Sequence, residues 1–185
     1  MPDYFALLEQ PRQPWPDDAA LRDAFHRLAA TQHPDARTGD ADGFANLNAA
    51  FTTLSDPVKR LRHWLELEHP DALHRATVIP PDLAELFPVI GAARQALLDF
   101  AARRRTATTA LSLALLAGDE ARVRANANAA RAALDAARER AVESLRTLDA
   151  ARSAPEALAA LHGRFAFLEK WDAQLREAAL QVEIG

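Results

Sequence analysis

The sequence predicts an all-α fold in two parts, and three observations carry that prediction. Apolar residues recur at intervals of three and four along every long segment, and no stretch alternates convincingly as a strand. Alanine, leucine and arginine abound while glycine numbers 6 in 185 residues, a composition that favours helix. A polar, proline-bearing stretch then divides the chain near residue 70. The expected organisation is a helical hairpin domain over 1–70, a linker over 71–81 and an antiparallel three-helix bundle over 82–185.

Each element has its own signal. Asp3 is placed to cap a short helix over residues 4–9 that offers Phe5 and Leu8 to a core. Pro11, Pro14 and Pro16 enforce an extended connection. Asp17 or Asp18 can cap a second helix, whose residues Leu21, Ala24, Phe25, Leu28 and Ala29 share one face. Pro34 ends it, because the residue before a proline is pushed out of the α region. A third helix carries Phe44, Leu47, Ala50, Phe51 and Leu54 on one face. Ser55-Asp56-Pro57 reads as a break and restart, after which Leu61, Trp64 and Leu65 continue the apolar stripe.

Beyond the linker, a helix is expected from about Leu83 to Ala117, kinked at Pro88, with Leu97, Phe100, Leu111 and Leu115 on its inner face. Gly118-Asp119 reads as its stop. The next helix buries Val123, Ala130, Leu134, Ala137, Ala141, Leu145 and Leu148. The last starts at Ser153-Ala154-Pro155 and buries Leu158, Leu161, Phe165, Leu168 and Leu175.

Composition narrows the function. Net charge is −4, which argues against nonspecific nucleic-acid binding. The absence of cysteine removes thiolate chemistry and cysteine zinc sites, and fits a reducing compartment. The N-terminus has neither the basic nor the apolar region of a secretory signal, and no apolar run is long enough to cross a membrane, so a cytoplasmic location is expected. The six histidines lack metal-ligand spacing, and no glycine-rich phosphate loop is present. No metal, no cofactor and no enzymatic activity of its own are therefore expected.

His33-Pro34-Asp35 stands between the second and third helices, and the segments around it resemble the J-domain family. The carriers are Asp3-Tyr4-Phe5 with Leu7-Leu8, then Leu21-Arg22, Ala24-Phe25 and Arg27-Leu28-Ala29. Leu47-Asn48, Ala50-Phe51 and Leu54 through Pro57 with Lys59-Arg60 complete the set, which covers residues 3–67. A terminal bundle and the stretch Arg164 to Trp171 narrow the likeness to HscB-type co-chaperones of iron–sulfur cluster assembly.

That resemblance implies an Hsp70 partner, HscA-like or DnaK-like, whose ATPase is stimulated through His33, Pro34 and Asp35 with help from Arg22, His26 and Arg27. Proline stiffens such a segment and lowers the ordering cost of docking, and an aspartate accepts charge-assisted hydrogen bonds from a basic partner. The chain departs from the family pattern at Asp23, His26 and Thr31, where cations are common, and at Gln32 and Ala36, which flank the signature. A second tripeptide of the same composition, His69-Pro70-Asp71, lacks the framing helices and reads as linker.

For the bundle, the resemblance implies binding of an IscU-like iron–sulfur scaffold through Leu86, Phe87, Ile90 and Phe167. Gly91 and Arg94 occupy positions where the family has glutamates. A J-domain protein with a different client is the alternative.

Overall fold

The computed structural model describes residues 2–32, 41–73 and 79–184. Seven α-helices are present among them, with no strand: α1 Tyr4–Leu7, α2 Asp18–Gln32, α3 Ala41–Ser55, α4 Pro57–Glu68, α5 Leu86–Thr106, α6 Ala110–Ala150 and α7 Pro155–Ile184. Residues cluster into two compact units, one holding 1–75 together with 142–162, the other holding 76–141 together with 163–185.

Local chemistry places the helices of the first unit. The Asp3 carboxylate accepts from the backbone N–H groups of Phe5 and Ala6, both at 3.1 Å, which starts α1. Asp17 does the same for α2 through Ala19 and Ala20. Asp56 caps α4 through Val58 and Lys59, with Pro57 in the first helical position, where its missing N–H costs nothing. The core joins Phe5, Leu8, Leu21, Leu47, Ala50 and Leu54, and Phe25 stacks on Phe51 with centroids 4.2 Å apart.

Among the described residues of this unit, two polar side chains are buried. Arg60 is 1% exposed and His63 2%. The Arg60 guanidinium donates to the carbonyls of Pro14 and Leu54 at 2.8 and 2.7 Å and to Asp18 at 3.3 Å, while lying 5.2 Å from the Trp15 ring. It ties the proline-rich connection to the junction of α3 and α4. The carboxyl of Asp149, at the end of α6, is pushed upward by burial, against a hydrogen bond from the Trp15 backbone and the charge of Arg60. Residues 142–162 are thus electrostatically linked to the same connection.

His69-Pro70-Asp71 forms the end of α4 and the start of a single 3-10 turn over Pro70–Ala72. The His69 N–H donates to Leu65, and its ring lies 4.9 Å from that of Trp64. This copy of the tripeptide closes a helix.

In the second unit, α5 and α7 run parallel with α6 between them in the chain, and the core includes Ile90, Leu97, Phe100, Leu134, Leu168 and Trp171. Three expectations need correction here. The first break falls at residues 107–109, and Gly118-Asp119 lies inside α6. Thr109 and Ser112 explain the position: each hydroxyl accepts the other's backbone N–H at 3.1 Å, a reciprocal cap that starts α6 before the glycine is reached. Asp119 is meanwhile held by Arg103 and Arg122, both at 2.7 Å.

Pro88 does not sit mid-helix. It lies in the first turn of α5, where no intrahelical donor is lost, so it marks the helix start and produces no kink. Leu111 and Leu115 are not on an inner face, being 71% and 72% exposed, because the turn at 107–109 resets the helical phase that would have aligned them with Leu97 and Phe100.

Candidate functional site

The outward side of α2 is fixed by what its inner side buries. Leu21 and Ala24 are buried and Phe25 is held by Phe51, so Arg22, His26 and Arg27 face solvent. Arg22 has no ion-pair partner among the described residues. Arg27 reaches Glu9, just past α1, at 2.5 Å. The Arg27 hydrogen bond and charge hold the Glu9 carboxyl below its ordinary range, and Glu9 raises Arg27 in return. The His26 ring meets the edge of Phe25 at 5.6 Å. The Thr31 hydroxyl donates to the Leu28 carbonyl and is turned back onto its own helix. His33, Pro34 and Asp35 lie outside the described residues.

This surface can steer and seat an acidic protein face through Arg22, with Arg27 partly neutralised by Glu9. Exposed charges of this kind set association rate and salt dependence more than affinity. The Glu9 pairing has no local sequence signal, since 18 residues separate the partners.

The four bundle residues expected at a partner surface have different environments. Phe87 is 54% exposed, and Leu86 is partly buried against the core. Phe167 is also partly buried, with its ring 5.8 Å from Trp171. Ile90 is 2% exposed and belongs to the core, so it is unavailable to a partner. It phases with Ala93 and Leu97 on the buried stripe, one step round the helix from Phe87. Trp171, at the end of the Arg164 to Trp171 stretch, joins the patch: it is 4% exposed and its ring lies 6.1 Å from that of Phe87 and 5.8 Å from that of Phe167. An added Cβ at Gly91 would meet nothing within 4 Å, so the position is open on its outward side. Arg94 is exposed.

Among the described residues no group of three or more His, Cys, Asp or Glu could hold a metal ion, and no helix is long and apolar enough to cross a membrane.

Residues 3–64 match the DnaJ domain family. The chain therefore carries a J-domain. Over 61 residues, 31% of the chain, it is 39% identical to the chaperone protein DnaJ of Zymomonas mobilis, of which it covers 16%. Over 85 residues, 42% of the chain, it is 31% identical to the co-chaperone protein HscB homolog of Shewanella oneidensis, of which it covers 49%. The chain thus spans half or less of these relatives. The crystal structure of human co-chaperone protein HscB superposes with a TM-score of 0.50 at 18% identity, covering 94% of this chain and 82% of that one, a likeness of fold. α1 to α4 supply the J-domain, and helices α5 to α7 follow it in the chain.

Proposed function

We propose that this chain is an Hsp70 co-chaperone of the HscB type. Its J-domain stimulates ATP hydrolysis by an HscA-like or DnaK-like Hsp70 through His33, Pro34 and Asp35, with Arg22 as the principal steering cation and Arg27 and His26 beside it. Its bundle delivers an IscU-like iron–sulfur scaffold protein, with Phe87, Leu86 and Phe167 around Trp171 as the contact patch. The observation that supports this best is the order of parts: a J-domain matched over 3–64, followed by a bundle in a chain whose fold resembles HscB over 94% of its length. The J-domain alone would fit any Hsp70 co-chaperone, and the second half favours the iron–sulfur branch.

Single-turnover ATPase measurements on a candidate Hsp70, with and without scaffold protein, test the reading. The chain should accelerate hydrolysis, the scaffold should add synergy, and His33→Gln should abolish both. Stimulation that survives His33→Gln removes the role assigned to His33 and its neighbours.

A second reading has its own support. Gly91 and Arg94 replace the acidic residues expected on the scaffold face, which favours a J-domain protein with another client. Stimulation without scaffold synergy would select that reading.

A further inference from the structure

The bundle has an open groove between α5 and α7. Leu98, Ala101 and Ala178 form its apolar floor, Arg94 and Arg105 stand along one side and Gln174 and Gln181 along the other, enclosing about 250 Å³. Neither arginine has an ion-pair partner among the described residues, although most other arginines of the bundle do, including Arg103, Arg104, Arg122, Arg124 and Arg131.

At 100° per residue, Phe87, Gly91, Arg94, Leu98, Ala101 and Arg105 fall within one narrow stripe of α5. Phe87 is 54% exposed at its start, Gly91 leaves open space, and Arg94 and Arg105 follow. Arg94 and Arg105 are eleven residues apart, which is three helical turns and about 16 Å. A groove between parallel neighbours of a three-helix bundle has the shape that a fourth helix fills. Eleven residues is also the interval at which a straight helix returns to the same face.

We propose that this groove receives an acidic amphipathic helix of the partner protein, with two carboxylates eleven residues apart on the edge of an apolar stripe. The carboxylates pair with Arg94 and Arg105, the apolar stripe covers Leu98 and Ala101, and the helix end meets Phe87. Glu177, which also lines the groove, disfavours a polyanion such as nucleic acid or an anionic membrane, because it places a like charge beside the arginines. The proposal rests on reading the bundle as the client-binding half and specifies the client's chemistry: a segment of charge opposite to that expected for a partner of an acidic face.

The test uses the full chain and two synthetic 18-residue helical peptides of identical composition, labelled for fluorescence anisotropy. One carries glutamates eleven residues apart. The other carries them nine apart, on opposite faces. The first should bind at least about tenfold more tightly, with a salt-dependent affinity. The double variant Arg94→Glu, Arg105→Glu should lose this preference and accept the lysine version of the first peptide. Both substituted positions are exposed, so its thermal melt should match the parent's. Equal binding of the two glutamate peptides, or unchanged binding by the variant, overturns the proposal. The iron–sulfur scaffold protein is assayed in parallel. If it binds parent and variant alike, the groove assignment fails while the client reading stands. If the spaced peptide binds as expected and the scaffold does not bind the parent, the groove stands and the scaffold reading fails.

Discussion

The backbone N–H of Tyr4 donates to Nε2 of His63 across 3.1 Å, fastening the first turn of α1 to α4. An acceptor at Nε2 requires a neutral imidazole that carries its proton on Nδ1. Burial pushes the His63 pKa below its ordinary value, and the Arg12 charge acts in the same direction, while Glu66 and Asp3 pull it back. Its ring also stacks on Tyr4 and Phe5, at 4.7 and 5.7 Å. The unfolded chain therefore binds a proton at this residue before the folded one does. Stability is unaffected above the ordinary histidine pKa of about 6.5 and falls as the pH drops below it. His162, whose pKa burial and Arg62 also lower, contributes in the same sense, so the decisive quantity is a difference between proteins. His63→Gln keeps an acceptor that cannot titrate. Between pH 7.5 and 5.5 the parent's urea midpoint should fall further than the variant's, and equal losses would refute the assignment.

Arg60 gives a second prediction. Its guanidinium satisfies two buried carbonyls that lie in different segments, at Pro14 and Leu54. Arg60→Met leaves both acceptors without donors and should cost about 3 kcal/mol. Arg60→Lys keeps the charge but loses the planar fork that reaches both carbonyls, and should cost less. Denaturant unfolding measures both. A neutral effect of Arg60→Met would mean that the connection over residues 11–16 is held by its other ties, among them the ion pairs of Arg12 with Asp3 and Glu68, without help from Arg60.

The two variants mark where sequence and structure part company. The helices of the J-domain are legible because Asp3, Asp17 and Asp56 cap them and Pro57 announces a restart, all through contacts a few residues long. The burial of Arg60 is not legible, since a motif arginine reads as surface until its partners 46 and 6 residues away are brought round it. The α5–α6 break is misread for a different reason. Glycine costs about 1 kcal/mol in a helix interior, which makes Gly118 look like a stop. The ion pairs on Asp119 and the reciprocal cap at Thr109 outweigh that cost. At the candidate site, the exposed character of Phe87 and Arg94 follows from helical phase, whereas Trp171 becomes a hub only once α5 and α7 lie side by side.

The cap at Thr109 is itself open to test. Thr109→Ala removes the acceptor for the Ser112 N–H and should weaken the first turn of α6 by about 1 kcal/mol. Hydrogen exchange should then quicken at Ser112, with little change at Val123 further along. Unchanged exchange at Ser112 would show that α6 does not depend on this cap for its start.

Ile90 and Phe87 stand three residues apart, one buried in the bundle core and the other exposed. Ile90 is 2% exposed in the bundle core, so Ile90→Ala should lower stability by about 2–4 kcal/mol. Phe87 is 54% exposed and touches Trp171 from outside, so Phe87→Ser should cost less than about 1 kcal/mol. Binding should show the opposite order. On the proposed function, Phe87→Ser should weaken capture of a scaffold protein by about tenfold, as loss of an aromatic anchor at an interface does. Ile90→Val, which trims one buried methylene without exposing it, should leave capture unchanged. Isothermal titration on variants whose folding has been checked by circular dichroism reads both effects. If Ile90→Val weakens binding while Phe87→Ser does not, the contact patch has been placed on the wrong face of α5.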